Sequence, residues 1–111
     1  MRVPFRKPRP LVAVVRLSGF IGGGGRAGAS LTDAGLAATV ERAFSRRKPD
    51  AVAIVINSPG GSPVQSSLIA ARLRRLSTEK NVPLFAFVED LAASGGYWLA
   101  SAADEIWIDP M

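Results

Sequence analysis

Ser94 is the serine of this 111-residue chain whose surroundings best suit a nucleophile. The apolar run 84–88 (LFAFV) before it predicts a strand, and the small or apolar run 94–103 after it predicts a wholly buried helix. A serine at a helix start lies beside the positive end of the helix and free backbone N–H groups, which favour negative charge on a substrate oxygen. Ser94 could instead serve only as the helix N-cap.

A second group of candidates is the turn Asn57-Ser58-Pro59-Gly60-Gly61-Ser62, which follows the apolar run 51–56 (AVAIVI). Paired glycines allow a ligand to approach the backbone closely. The N–H of Gly60 or Gly61, together with that of Gly95, could stabilise a developing oxyanion. Taken alone, the turn is more typical of an ordinary strand-to-helix connection.

The chain has no histidine and no cysteine, so any general base must be a lysine or an acid. This composition excludes a Ser-His-Asp triad, a thiol nucleophile and a histidine-ligated metal. Lys48 and Lys80 precede predicted strands and are expected at the amino edge of the sheet, roughly 17–20 Å from Ser94. Lys7 lies in a basic leader over residues 1–10, and the nearby acids Glu89 and Asp90 are interpreted as turn residues.

The glycine-rich stretch 19–28 is predicted to be a loop near the site. Residues 23–28 formally match G-x-G-x-x-G, a dinucleotide signature, but the following helix begins too late to contact a pyrophosphate. Ala29 stands where a phosphate-binding loop needs lysine. We therefore expect neither a cofactor nor a metal.

Strand and helix patterns alternate along residues 11–108, which predicts an α/β fold with a mostly parallel sheet. The first predicted helix, which ends near residue 47, is expected to start at the N-cap Thr32, and the second is expected to start at Pro63. In that second helix, Leu68, Ile69, Leu73 and Leu76 are predicted to face inward. Strands are predicted at 11–17, 51–56, 84–88 and 105–108, and helices at 32–47, 63–80 and 94–103. The strand at 11–17 is expected to be buried on both faces.

Two motifs in this order, NSPGGS (57–62) and VEDLAASGGY (88–97), resemble the signal peptide peptidase A family. The resemblance extends from about Leu11 to Pro110 and includes LSGFIGGGG (17–25) and ADEIWIDP (103–110). It implies the ClpP/crotonase fold, a repeated ββα spiral, and a Ser-Lys endopeptidase that cleaves extended apolar peptides such as signal peptides. Ser94 would be the nucleophile, Gly60 or Gly61 and Gly95 the oxyanion donors, and residues 57–62 would flank the substrate strand.

The family's lysine would fall beyond Met111, so residues 11–111 are interpreted as the N-terminal part of the peptidase domain, inactive alone. The alternatives are an acyl-CoA hydratase or isomerase on the same fold and a non-catalytic oligomerising scaffold. Relatives of the fold form rings, which predicts a homo-oligomer of the complete protein.

The net charge of +5 is dispersed rather than clustered, so nucleic acid is not an expected partner. No apolar run is long enough to span a membrane. We expect a soluble, cytoplasmic or peripherally membrane-associated protein, the basic leader giving only a weak attraction to anionic lipid.

Overall fold

The computed structural model describes residues 9–22, 30–89 and 94–108, the first three residues of the last range only as helix backbone. The elements are β1 (Val12–Ser18), β2 (Phe20–Ile21), β3 (Ser30–Leu31), α1 (Asp33–Ser45), β4 (Ala51–Asn57), α2 (Pro63–Lys80), β5 (Leu84–Val88), α3 (Ser94–Ala100) and β6 (Glu105–Ile108). The predicted strands and helices are all present, with ends shifted by a few residues. The short strands β2 and β3 were not predicted, and β2 lies within the stretch 19–28, so the prediction of a loop was wrong at those two residues.

The main sheet has four parallel strands in the order β1-β4-β5-β6. The predicted α/β architecture with a mostly parallel sheet is therefore confirmed. Each connection leads to the neighbouring strand in the same direction, and parallel crossovers are right-handed, so α1, α2 and α3 lie on one face of the sheet. The core forms between these helices and that face, around side chains such as Leu17, Ile54 and Leu73.

The prediction that the first strand is buried on both faces was wrong. Val15 and Leu17 point into the core, whereas Val14 on the opposite face is 59% exposed. β1 lies at the edge of the sheet, and among the described residues the helices cover only one of its faces. β4 lies between two strands and is buried almost throughout, as predicted.

Two predictions about helix faces were also wrong. Leu68 is 45% exposed on the outer side of α2, although Ile69, Leu73 and Leu76 are buried as expected. In α3, Leu99 and Ala100 are buried but Tyr97 and Trp98 are exposed, so α3 is not wholly buried. Helical periodicity places Leu68 one residue outside the apolar stripe, and α3 has packing partners on one side only.

Candidate active site

The turn 57–62 leaves β4 at the carboxyl edge of the sheet and leads directly into α2. Ser62 is the N-cap of α2, and its Oγ accepts a hydrogen bond from the Gln65 N–H at 3.2 Å. Pro63 occupies the first helical position, where its missing N–H costs no intrahelical hydrogen bond. The local sequence thus ends the turn and starts the helix as predicted.

β2 fixes the position of this turn through backbone hydrogen bonds. The Ile21 N–H donates to the Gly60 carbonyl at 2.9 Å, and the Ser62 N–H donates to the Ile21 carbonyl at 2.7 Å. Ile21 and Gly61 therefore pair as a parallel bridge, while β3 pairs with the other side of β2. Ile21 was missed as a site-building residue, because a two-residue strand beside a glycine-rich stretch has no periodicity to detect.

Gly61 is required at its position by both conformation and space. Its φ of +147° is rarely adopted by residues with a side chain. A Cβ atom at this position would lie 1.9 Å from the Ile21 carbonyl oxygen, which is part of the backbone and cannot rotate away. The pairing of the turn with β2 therefore depends on glycine at this position.

The two glycines of the turn differ in what their N–H groups can do. The Gly60 N–H donates to Ser58 Oγ at 3.1 Å, and both residues are buried. Gly61 is exposed. Because the Gly60 carbonyl accepts from Ile21 of β2, the Gly61 N–H of the same trans peptide group points to the opposite side. Of the two predicted donors, Gly61 thus has the N–H that points away from β2, whereas the Gly60 N–H is already used within the turn.

The remaining residues of the turn have structural roles. Asn57 is exposed, and its carbonyl accepts a hydrogen bond from the Gly19 N–H at 3.1 Å, which continues the pairing of β1 with β4. Ser58 is 2% exposed and supports the turn from within. Their predicted position beside a substrate strand stays a prediction.

Ser94 is the first residue of α3, which follows β5. Val88 at the end of β5 pairs with Ile56 near the end of β4, so β5 and β4 end at the same edge of the sheet. The direction of the Ser94 hydroxyl lies outside the described part of the chain, as do residues 90–93. The predicted pairing of Ser94 with Gly61 and Gly95 is therefore untested.

No lysine is found near this edge among the described residues. Lys80 ends α2 and Lys48 precedes β4, so both lie toward the amino edge of the sheet, as expected. Glu89 follows β5 and is exposed, and its N–H donates to the Ile56 carbonyl at 2.9 Å. Lys7, Asp90 and the glycines of residues 23–28 fall outside the described ranges.

Asp33 at the start of α1 joins this region to α2. Its carboxylate accepts two hydrogen bonds from the Arg72 guanidinium, at 2.7 and 3.1 Å, and its N–H donates to Gln65 Oε1 at 2.8 Å. The hydrogen bond from Arg72 lowers the pKa of Asp33, and the Arg72 charge acts in the same direction against partial burial. This contact fixes the position of α1, which follows β3, relative to α2, which follows the turn 57–62.

Within residues 9–22, 30–89 and 94–108, the acidic side chains form no group of three that could hold a metal ion. In the same ranges we find no helix with the length and apolar character needed to cross a membrane.

Comparison with known proteins shows that the chain is similar in sequence to proteases. Residues 77–111 match the family model of Peptidase family S49. The chain is 33% identical over 105 residues to the chloroplastic serine protease SPPA of Arabidopsis thaliana, which covers 88% of this chain and 15% of that protein. It is also 35% identical over 74 residues to Protease 4 of Haemophilus influenzae, across 67% of this chain and 12% of that protein. The resemblance to the signal peptide peptidase A family is thereby confirmed.

A higher identity is found to a protein with a different name. The chain is 50% identical over 107 residues to the Na(+)/H(+) antiporter NhaA of Brucella abortus, a match that covers 96% of this chain but 14% of that protein. The chain thus spans about one seventh of the length of the relatives that match it over most of its residues.

Proposed function

Because the chain is related in sequence to the peptidases of family S49, we propose that it provides the nucleophile and part of the oxyanion hole of a serine endopeptidase. Ser94 is the nucleophile in this proposal, and the N–H groups of Gly61 and Gly95 are the oxyanion donors. The observation that carries the proposal is the exposed Gly61 backbone at the sheet edge where β5 also ends. The ends of parallel strands commonly form such sites.

The reaction assigns one task to each group. Ser94 Oγ attacks the carbonyl carbon of the scissile peptide bond while a base takes its proton. The carbonyl oxygen becomes an oxyanion, which accepts hydrogen bonds from the Gly61 and Gly95 N–H groups. Collapse of this intermediate breaks the C–N bond, the amine leaves with a proton, and water then hydrolyses the acyl-enzyme.

Extended apolar peptides, such as signal peptides, are the proposed substrates. One side of the Gly61 backbone pairs with β2, so its other side can pair with a substrate strand. Phe20, in the adjacent β2, is 54% exposed and offers an apolar surface beside that strand. These two features support an apolar substrate that binds in an extended conformation.

The base is proposed to be a lysine of the full-length protein outside these 111 residues. Lys48 precedes β4 and Lys80 ends α2, so both lie at the amino edge of the sheet. That edge is one strand length, roughly 17–20 Å, from the carboxyl edge where β5 ends. Without a base, serine is a poor nucleophile at neutral pH. The chain alone is therefore expected to be inactive, and homo-oligomerisation of the full-length protein stays a prediction.

Other functions have less support. The acyl-CoA hydratase or isomerase would use the same oxyanion donors without a nucleophile, but the family match and the protease relatives favour a peptidase. Ion transport, suggested by the antiporter's name, is not favoured because the same residues match proteases across 88% of the chain.

The test is turnover of an apolar fluorogenic peptide by the 111-residue chain and by the full-length protein, each with and without Ser94→Ala. We expect cleavage only by the unsubstituted full-length protein, with a loss of at least about 10³-fold on substitution. Covalent labelling by a phosphonylating probe should likewise require Ser94. Serine-dependent cleavage by the short chain would place the base within it, and full activity of Ser94→Ala would refute the peptidase assignment.

A further inference from the structure

A groove of about 450 Å³ runs along the outer side of β1, on the flank of the domain away from the Gly61 turn. The apolar side chains in its lining include Leu11, Ala13, Val15 and Ala43, which we call the floor. Its rim carries three arginines from the last turn of α1 and the two residues after it, Arg42, Arg46 and Arg47. We call this feature the β1 groove.

Among the described residues, no strand pairs with the outer edge of β1, which faces the β1 groove. In β4, the Val52 N–H donates to Pro83 and the Ile56 carbonyl accepts from Glu89, so even-numbered residues of β4 bond to β5. Odd-numbered residues of β4 therefore bond to β1. Their Cα partners in β1 are even-numbered, so their hydrogen bonds go to the odd-numbered residues on either side of each partner, as the bond from the Gly19 N–H to the Asn57 carbonyl shows. The N–H and C=O groups of Val12, Val14 and Arg16 consequently point outward, toward the space a further strand would occupy.

The charges around the groove determine which strand would fit. Arg42, Arg46 and Arg47 are all exposed, and their guanidinium groups are the charged side chains of the groove lining. Asp50, at the start of β4, is already engaged, because its carboxylate accepts the Leu11 N–H at 2.7 Å. A strand that lies here would meet apolar side chains on the floor and positive charge on the rim.

We propose that the β1 groove binds an extended acidic peptide segment of a partner protein, which adds as a strand to the outer edge of β1. Main-chain hydrogen bonds to Val12, Val14 and Arg16 would provide the pairing. Alternate apolar side chains would enter the groove, and acidic side chains would meet the arginine rim. This inference concerns a surface away from Ser94 and does not depend on the peptidase proposal.

The positive charges of the arginine rim disfavour two other occupants of the β1 groove. A second copy paired through β1 would bring the arginine rims of both copies together, and like charges at an interface are costly. The chain's own leader is basic as well, with Arg2, Arg6 and Lys7, and would meet the same repulsion. Both remain possible outcomes of the experiment, and either would contradict the proposal.

The experiment measures binding of a labelled peptide of about six residues, alternating glutamate and valine, to the 111-residue chain by fluorescence anisotropy. The matched probe replaces glutamate by lysine. We expect binding of the acidic peptide only, weakening as ionic strength rises. Arg46→Glu should raise its Kd about tenfold, whereas Arg75→Glu, the same charge change on the outer face of α2, should leave Kd unchanged.

Amide NMR shifts distinguish strand addition from simple charge attraction. Added peptide should shift the amides of Val12, Val14 and Arg16 more than those of Ala13 and Val15, and Val14→Pro should abolish binding without unfolding the sheet. Equal binding of both peptides, no binding of either, or an equal effect of Arg75→Glu would overturn the proposal. A concentration-dependent dimer whose formation is altered by Arg46→Glu would also overturn it. So would protection of the β1 amides from solvent exchange in the full-length protein without added peptide.

Discussion

The carboxyl edge of the main sheet, where its strands end, and the amino edge, where they begin, are stabilised by different kinds of groups. At the carboxyl edge, the turn 57–62 is held by backbone hydrogen bonds to Ile21 and by glycine conformations. At the amino edge, side chains hold the connections: Arg74 donates to the Ala102 carbonyl, to Asp104 and to Ser77, each at 3.0 Å or less.

The difference lies in which groups are already hydrogen-bonded. At the amino edge, the Asp104 carboxylate also accepts the Leu84 N–H at 2.8 Å, so Asp104 and Arg74 are occupied by each other and by the backbone. At the carboxyl edge, Gly61 has no side chain and is exposed. A backbone donor held in place but left open suits a ligand, whereas a paired side-chain network suits a structural joint.

Gly61→Ala is expected to have the largest effect, because it attacks the backbone pairing of the carboxyl edge directly. The added Cβ would lie 1.9 Å from the Ile21 carbonyl oxygen at a φ that alanine rarely adopts. We expect the free energy of unfolding to fall by about 3 kcal/mol or more. The measurement is urea denaturation of the 111-residue chain followed by circular dichroism.

Pro59→Ala, in the same turn, is the control for Gly61→Ala. Pro59 is exposed, and its replacement should cost only about 0.4–1 kcal/mol through the entropy of the unfolded chain. If Gly61→Ala unfolds at the same urea concentration as Pro59→Ala, the turn is not held against β2 in the way described here.

Asp104→Ala tests the amino edge and should have an intermediate effect. It removes the acceptor of the Leu84 N–H and a partner of Arg74, with Leu84 itself buried. We expect a loss of about 1–2 kcal/mol, mainly from the unsatisfied backbone donor, since the ion pair is partly exposed and contributes little.

Glu105→Ala, at the neighbouring exposed position, provides the comparison and should change stability by less than about 0.5 kcal/mol. Equal effects of the two substitutions would show that the Asp104 contacts do not stabilise the joint between α2 and β6. The amino and carboxyl edges would then differ less in the groups that stabilise them than the hydrogen bonds indicate.

The smallest expected effect is the acid dependence of the Asp33–Arg72 contact. Arg72 lowers the pKa of Asp33, so this aspartate binds protons less readily in the folded chain than in the unfolded chain. Its contribution to stability is therefore complete above the ordinary aspartate pKa of about 3.9 and is lost as pH falls through the lowered folded value.

Asp33→Asn should flatten the fall in stability below about pH 4 relative to the unsubstituted chain, with little change in its slope at neutral pH. Urea titrations at several pH values measure this dependence. Asp104, whose pKa is lowered by the Leu84 N–H and then by Arg74, should account for part of the slope that remains. An unchanged slope in Asp33→Asn would exclude the contact as a source of acid sensitivity.

The sequence alone was sufficient to predict the helices, the four strands of the main sheet and their parallel direction. β4 and β5 are short apolar runs rich in β-branched or aromatic residues, and this pattern depends only on neighbouring residues. Thr32 and Ser62 cap their helices through hydrogen bonds to Gly35 and Gln65, contacts within one turn. Such local interactions are encoded by residues close in the chain and can be recognised without coordinates.

Tertiary structure alone decided which faces are covered and which glycine is open. The exposure of Val14 depends on what packs opposite it, and no local pattern reports that. The choice between Gly60 and Gly61 follows from where Ile21, distant in the chain, donates and accepts its hydrogen bonds. A backbone group's partner is set by the arrangement of strands in space, so the residue types in the turn could identify both donors but could not distinguish them.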